Sequence, residues 1–404
     1  MSDLEAIQGV AAASVEAVNG VAKASVEAVN GVEVVAAATG ASRFVIATGG
    51  GFIATAANSD RTNWSTYDGT DSSSPKAFSL AFGRNANGQG VYVCTRDAAS
   101  REIQISGTDV TTDAVWTDIN ISPNDKQYKV AWGAKSGTTA GVWMSVGDDG
   151  LVMRSTDGGA NWSAVDMSST NLGSKVITNI ATNGQGKWMF FAGSTSSAYM
   201  FVSTDDGASF SQSLPFDDND EPQSFEGLVY TNSTWIVAYS RQSEVNFRSC
   251  ADSDTSDWGS EFRVNSTNFP DRNIGSNNSA HSVTFANPSQ QTQFIRMAAA
   301  NSKVCAVSTA DEVILTFSAN GKVLNNGQFV DGNASGETKL SIDGGDTCMD
   351  VCTDGSTWLV SCKGGDVHES TDNADSWTRI VNDLSISGTQ YDLNAITCDV
   401  VLPL

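Results

Sequence analysis

Basic residues are scarce in this chain. Its 404 residues carry 23 Lys and Arg against 46 Asp and Glu, a formal charge of -23. Nucleic acid is thereby excluded as a partner, because a surface that neutralises phosphates needs a basic footprint. An anionic membrane surface is disfavoured for the same reason. No apolar run reaches the roughly 18 residues that a membrane helix requires. The opening Met1-Ser2-Asp3-Leu4-Glu5 lacks the basic and apolar regions of a secretory signal, so folding in a cytoplasm is expected. Histidine is limited to His281 and His368, neither within a recognisable nucleophile motif, so no catalytic triad is expected. The cysteines (Cys94, Cys250, Cys305, Cys348, Cys352, Cys362 and Cys398) are odd in number and irregular in spacing. That pattern is neither a disulfide framework nor a zinc site, and these residues are expected to be small core side chains.

What the chain does have suits a globular β protein. It is 40% apolar, with 10 Trp, 17 Phe and 37 Gly but only 7 Pro. Two kinds of repeat organise it. Residues 5 to 32 recur at a period of 11, aligning Glu5, Glu16 and Glu27, the glycines at 9, 20 and 31, and Val10, Val21 and Val32. An 11-residue period suits a right-handed coiled coil. Each glycine costs about 1 kcal/mol inside a helix, and Asn-Gly favours a left-handed cap or a tight turn. Short helical turns broken at Asn-Gly are therefore expected, in a segment that must pack on something else.

The second repeat is an octapeptide. Ser155-Thr156-Asp157-Gly158-Gly159-Ala160-Asn161-Trp162 returns as Ser203-Thr204-Asp205-Asp206-Gly207-Ala208-Ser209-Phe210 and as Ser370-Thr371-Asp372-Asn373-Ala374-Asp375-Ser376-Trp377. Degenerate copies span 58–64, 111–116 and 253–258. The pattern implies a hairpin turn: the Asp accepts backbone amides, Gly159 and Gly207 supply a positive φ, and Trp162, Phe210 or Trp377 plugs the space between sheets. Trp64, Trp116, Trp162, Phe210 and Trp258 lie 52, 46, 48 and 48 residues apart. The 119 residues from Trp258 to Trp377 hold two units, one of which has lost its marker near Ser318-Ala319-Asn320-Gly321. Seven units of this length are what four-stranded propeller blades require. Within one unit, Val176 to Thr182, Gly186 to Ala192, Tyr199 to Ser203 and Phe210 to Leu214 read as strands.

The octapeptides resemble the Asp-box, Ser-x-Asp-x-Gly-x-Ser/Thr-Trp, of sialidase-like β-propellers. The resemblance implies an all-β fold: a seven-bladed β-propeller of four-stranded antiparallel blades, preceded by a short non-globular repeat segment. The expected division is 1–36 for the repeat and 37–404 for the propeller. The first unit, begun at Arg43, has room for three strands, and residues 391 to 401 are expected to complete it from the other end of the chain.

Sialidases bind a carboxylate with three Arg and carry an Arg-Ile-Pro signature. This chain has no Arg-Ile-Pro; Arg43, Arg61 and Arg84 lack its context, and Phe294-Ile295-Arg296-Met297 is late and different. Catalytic, cofactor and metal residues are therefore expected to be none. The acidic run Asp217-Asp218-Asn219-Asp220-Glu221 lacks the glycine and distal Glu of an EF-hand loop and reads as a solvated inter-blade loop. Gly49-Gly50-Gly51 reads as a turn, with no Lys or helix after it to make a phosphate cradle.

The amino-terminal repeat resembles segments of structural proteins from marine bacteriophages, cyanophages in particular. That resemblance implies a virion component assembled in the host cytoplasm, a tail fibre or receptor-binding protein. Residues 1–36, with Val10, Val21 and Val32, would meet other virion proteins, and the propeller would meet a host-surface glycan or protein. Homo-oligomers are common among fibres. A decoration protein without host binding and an Asp-box glycoside hydrolase are the alternatives.

Overall fold

A computed structural model of the chain describes residues 43–68, 76–97, 103–110, 116–135, 138–193, 198–214, 216, 222, 224–241, 244–263, 295–308, 314–330, 347–386 and 388–399, together with six two-residue strands within the first 33 residues. The acidic run at 217–221 and His281 lie outside the described residues. Seven four-stranded antiparallel sheets form, each in the order of the chain except the first. Their innermost strands are Ala77–Arg84, Gln127–Lys135, Ile180–Thr182, Ser224–Thr231, Ile295–Ala300, Cys348–Thr353 and Ala395–Cys398. Each inner strand touches the next, and the last returns to the first. The fold is a closed seven-bladed propeller.

The closing blade takes strands from both ends of the chain. Arg43–Ala47, Phe52–Ala57 and Asp60–Asp68 form its outer three strands. Ala395–Cys398 pairs antiparallel with the first of these, from Ala395 opposite Ala47 to Cys398 opposite Phe44. The Arg43 amide donates to Asp399 Oδ1 at 3.0 Å. Residues 48–51 make the turn between the blade's second and third strands, as Gly49-Gly50-Gly51 requires.

Alternation within the strands builds the core, which lies between blades. Phe190, Phe201 and Phe210 share one cluster with Trp188 and Val142; the rings of Phe190 and Phe201 stack with centroids 4.7 Å apart. Burying one such ring contributes roughly 2–3 kcal/mol. All seven cysteines are buried thiols without disulfides. The unit without an octapeptide marker is the blade Ile295–Val330, whose last two strands join directly at Gly321 and Lys322.

The amino-terminal repeat corrects the helical expectation. Ala6–Ile7 pairs with Val10–Ala11, Ala17–Val18 with Val21–Ala22, and Ala28–Val29 with Val32–Glu33. Val10, Val21 and Val32 each open a second strand, opposite Ile7, Val18 and Val29. The 11-residue unit is thus a two-residue hairpin. Asn-Gly between β-branched residues, present in the second and third units, is the strongest short-range hairpin signal, and there it outweighs the alanines.

Turns sort onto two faces. Those after the first and third strands of each blade meet on one: the Asp206 amide donates to the Gly186 carbonyl at 3.0 Å, and Asn301 Nδ2 to the Gly355 carbonyl at 2.8 Å. Turns after second strands meet the inter-blade connections on the other, where the Gly49 amide donates to the Asp392 carbonyl at 2.8 Å and the Leu384 amide to Gly365 at 2.8 Å. The chain enters the ring at Arg43 on the first of these faces, called the box face below because it carries the octapeptide turns.

Candidate binding site in the propeller channel

The three octapeptides fold into one network. Ser155 Oγ donates to Asp157 Oδ1 at 2.8 Å and accepts the Gly159 amide at 3.0 Å, while Asp157 accepts the Asn161 amide at 3.0 Å and its Nδ2 at 2.7 Å. Ser203, Asp205, Gly207 and Ser209 repeat this at 2.7, 2.9, 3.0 and 2.6 Å. Ser370, Asp372, Ala374 and Ser376 repeat it again, with the Ser376 hydroxyl on Asp372 Oδ2. The serine is the hub of the turn, a role that the expectation centred on the Asp had omitted.

Burial alone would raise these aspartates, yet hydrogen bonds from Asn161, Ser209 and Ser376 hold Asp157, Asp205 and Asp372 below the usual carboxylate range. Gly159 and Gly207 have φ of 91° and 73°; Ala374 occupies the same left-handed region at 64°. Phe210 and Trp377 are buried, whereas Trp162 is half-buried and donates its indole N–H to the Gly159 carbonyl at 2.9 Å. Trp64 keeps that one element of the pattern, donating to Arg61 at 2.8 Å.

These turns are structural. Ser203→Ala would strand the buried Gly207 amide and release Asp205, at a cost of about 1–3 kcal/mol. Chemical denaturation should show the midpoint falling with an unchanged slope; an unmoved midpoint would mean that the hydroxyl carries no part of the turn.

The chemistry-bearing groups gather elsewhere, on the inner strands. Arg296 lies second in its strand, 2% exposed, and reaches across the channel to the far blades: Nη2 donates to the Phe78 carbonyl at 2.6 Å and lies 3.5 Å from that of Tyr128. Phe78 and Tyr128 pack edge to face with centroids 5.1 Å apart, and Val176 packs on both. Asn394 Nδ2 adds a bond to the Ala77 carbonyl at 3.1 Å. The channel end away from the box face is closed by this plug. Further along the same strands, Ala81, Phe82, Ala131, Trp132, Ala298, Ala299 and Thr397 are only half-buried. Among the described residues the channel is a blind funnel that opens on the box face.

Its cavity of about 250 Å³ is lined by Lys129 and Asp350 at the floor and by Leu80, Phe82, Trp132, Ala298, Cys352 and Cys398 on the walls. Asp350 is fixed by its neighbours: Oδ1 accepts the Val351 amide at 2.9 Å and Oδ2 the Ile396 amide at 3.0 Å. Glu226, buried beside this floor, accepts the Ser224 hydroxyl, which also meets Ser240 Oγ at 2.6 Å.

Desolvation governs the charges. Burial pushes Glu226 up to about 7, against the opposing pull of Ser224 and Arg296. Burial brings Lys129 down to about 8, with Asp350 raising it and Arg296 lowering it further. Arg296 is lowered by burial while Asp350 and Glu226 hold it charged. Cys352, on the wall, is pushed well above the usual thiol value by burial.

A sialidase-like arginine cluster does not form from the early arginines. Arg43 donates to Thr55 Oγ1 at 3.1 Å, Arg61 pairs with Glu369 and Arg84 donates to the Gly88 carbonyl at 2.9 Å. Arg296, set aside on motif grounds, is the arginine that reaches the channel. The missed signal is a charged residue near the start of an otherwise apolar first strand: Lys129 after Gln127-Tyr128, Glu226 after Ser224-Phe225, and Asp350 after Cys348-Met349.

No protein-family model matches the chain, and no curated protein matches it significantly. Solved structures share its fold. A structure titled YCF48 bound to D1 peptide aligns with a TM-score of 0.51 at 11% identity, covering 81% of this chain and 87% of that one. An ancestral GH74 enzyme aligns with a TM-score of 0.55 at 12% identity, covering 89% of this chain. This chain spans 48% of that enzyme's length. At such identities the likeness defines the chain as a seven-bladed β-propeller and nothing finer.

Proposed function

We propose that the chain is a structural protein of a bacteriophage particle, a tail fibre or receptor-binding component that docks through residues 1–36 and displays its propeller to a host-surface glycan or protein. The observation that carries this reading is the polarity of the molecule. Tandem hairpins at 11-residue spacing precede Arg43, where the chain enters the ring on the box face. A tether on one face leaves the other, with its inter-blade connections, free to meet a partner. The resemblance of the repeat to cyanophage structural proteins supplies the particle, and the acidic surface suits solubility in salt.

The reading assigns the propeller to binding and gives it no catalytic step. Mass spectrometry of purified particles tests it. The chain should be present in stoichiometric amount, and a form lacking residues 1–36 should be left out of particles while still being retained by host envelopes. Absence from particles, or turnover of a host polysaccharide by the purified chain, would overturn it. A particle-borne chain that no host envelope retains would be the decoration protein.

A further inference from the structure

Lys129 is the unspent group of the channel. Asp350 is held by two backbone amides and Arg296 by the carbonyls of the plug, yet the Lys129 ammonium makes no hydrogen bond or ion pair with any described residue. It faces a cavity of about 250 Å³, the liquid volume of roughly eight waters. Around it stand apolar and aromatic side chains, Leu80, Phe82, Trp132 and Ala298. A cation that lacks a partner is costly to bury, and an anion seated there would remove that cost.

We propose that the funnel binds a small carboxylate with a short apolar body, its carboxylate on the Lys129 ammonium and its hydrocarbon against Leu80, Phe82 and Trp132. The volume suits a ligand of about seven heavy atoms, and Leu80, Phe82 and Trp132 give its hydrocarbon an apolar surface to lie against. Arg296, behind the floor, adds positive charge, and Asp350 and Glu226 oppose it. The site does not depend on the virion reading, since it stands on the inner strands alone.

Protonation sets its strength. The charged groups around Lys129 are Asp350, Arg296 and, beyond Arg296, Glu226; the Cys352 thiol stays protonated. At pH 6 Lys129 is charged and Glu226 is largely neutral, so the floor carries a net positive charge. At pH 8.5 Lys129 has lost much of its charge and Glu226 is ionised, so the floor becomes negative. Anion binding is therefore strongest in mild acid and is lost through both changes as the pH rises.

Pentanoate and its neutral isostere pentanamide are the probes, titrated into the full chain by calorimetry. Pentanoate should bind at least tenfold tighter than pentanamide at pH 6, and that preference should disappear at pH 8.5. Lys129→Gln should abolish the preference at pH 6. Ala298→Leu, which fills the cavity and leaves Lys129 in place, should abolish binding of both. Equal binding of the two probes at pH 6, no saturable binding of pentanoate, or a preference that survives Lys129→Gln would overturn the proposal. Should Lys129→Gln fail to fold, the unaltered chain still decides, because a preference unchanged at pH 8.5 overturns it as well.

Discussion

Truncating the chain after Gln390 should abolish the cooperative melting of the propeller or lower its midpoint by more than about 5 °C, a shift that a loss of several kcal/mol produces in a domain of this size. The deleted residues include the inner strand Ala395–Cys398, the only part of the closing blade not contributed by residues 43–68. Leu393, Ala395, Ile396 and Cys398 are all buried, at 0, 0, 2 and 4% exposure. Leu393 and Ile396 together contribute roughly 4–6 kcal/mol by burial. The whole net stability of a domain is only about 5–15 kcal/mol. Losses on both flanks add to this, because the strand's surroundings bridge neighbouring blades: the Ile396 amide binds Asp350 Oδ2 and Asn394 Nδ2 binds the Ala77 carbonyl. Deletion would also leave the inner edge of Arg43–Ala47 unpaired and its buried backbone groups unsatisfied. Circular dichroism on the truncated and full chains decides the matter, and superimposable melting curves would show that the ring does not need this strand.

The parts of the fold that were legible in the sequence are those written locally. Tyr199–Ser203 forms the strand that its apolar run and the following octapeptide imply. The octapeptide turn could be read because its serine, aspartate and aromatic residue lie within eight positions of one another. Val176 and Ile177 precede the strand, which begins at Ile180, because an apolar pair does not reveal its register; Val176 covers the Phe78–Tyr128 plug and the Ile177 amide donates to the Gly147 carbonyl at 3.0 Å. The 11-residue repeat failed for another reason, that Asn-Gly signals a helix cap and a hairpin alike. The channel was hidden because it is assembled from strands separated by whole blades. Arg296 meets the Phe78 carbonyl across 218 positions of sequence, and no local pattern foretells that meeting.

Two buried groups should act on the stability of this protein in opposite directions between pH 7 and pH 4.5, an opposition that single substitutions will expose. His368 is fully buried and neither ring nitrogen has a hydrogen-bond partner among the described residues. Burial brings its pKa from 6.5 down to about 4, although Asp366 raises it and Arg379 lowers it. The unfolded chain therefore takes up this proton first as the pH falls, and folding loses about 2–3 kcal/mol by pH 4.5. Glu226 moves in the opposite direction. Its pKa rises from 4.5 to about 7 on folding, so the folded chain holds the proton longer; stability present below pH 4.5 is lost as the pH rises through 7, again by about 3 kcal/mol. On acidification the two contributions oppose each other. The octapeptide aspartates hardly enter this window: their lowered values place their loss of stability at lower pH, below the ordinary carboxylate value of 3.8. Glu226→Gln should leave the His368 effect alone and lose about 2–3 kcal/mol between pH 7 and pH 4.5. His368→Leu should gain a similar amount over the same interval. Denaturant unfolding at the two pH values measures both, and parallel pH profiles for the two variants would mean that neither group titrates as its burial requires.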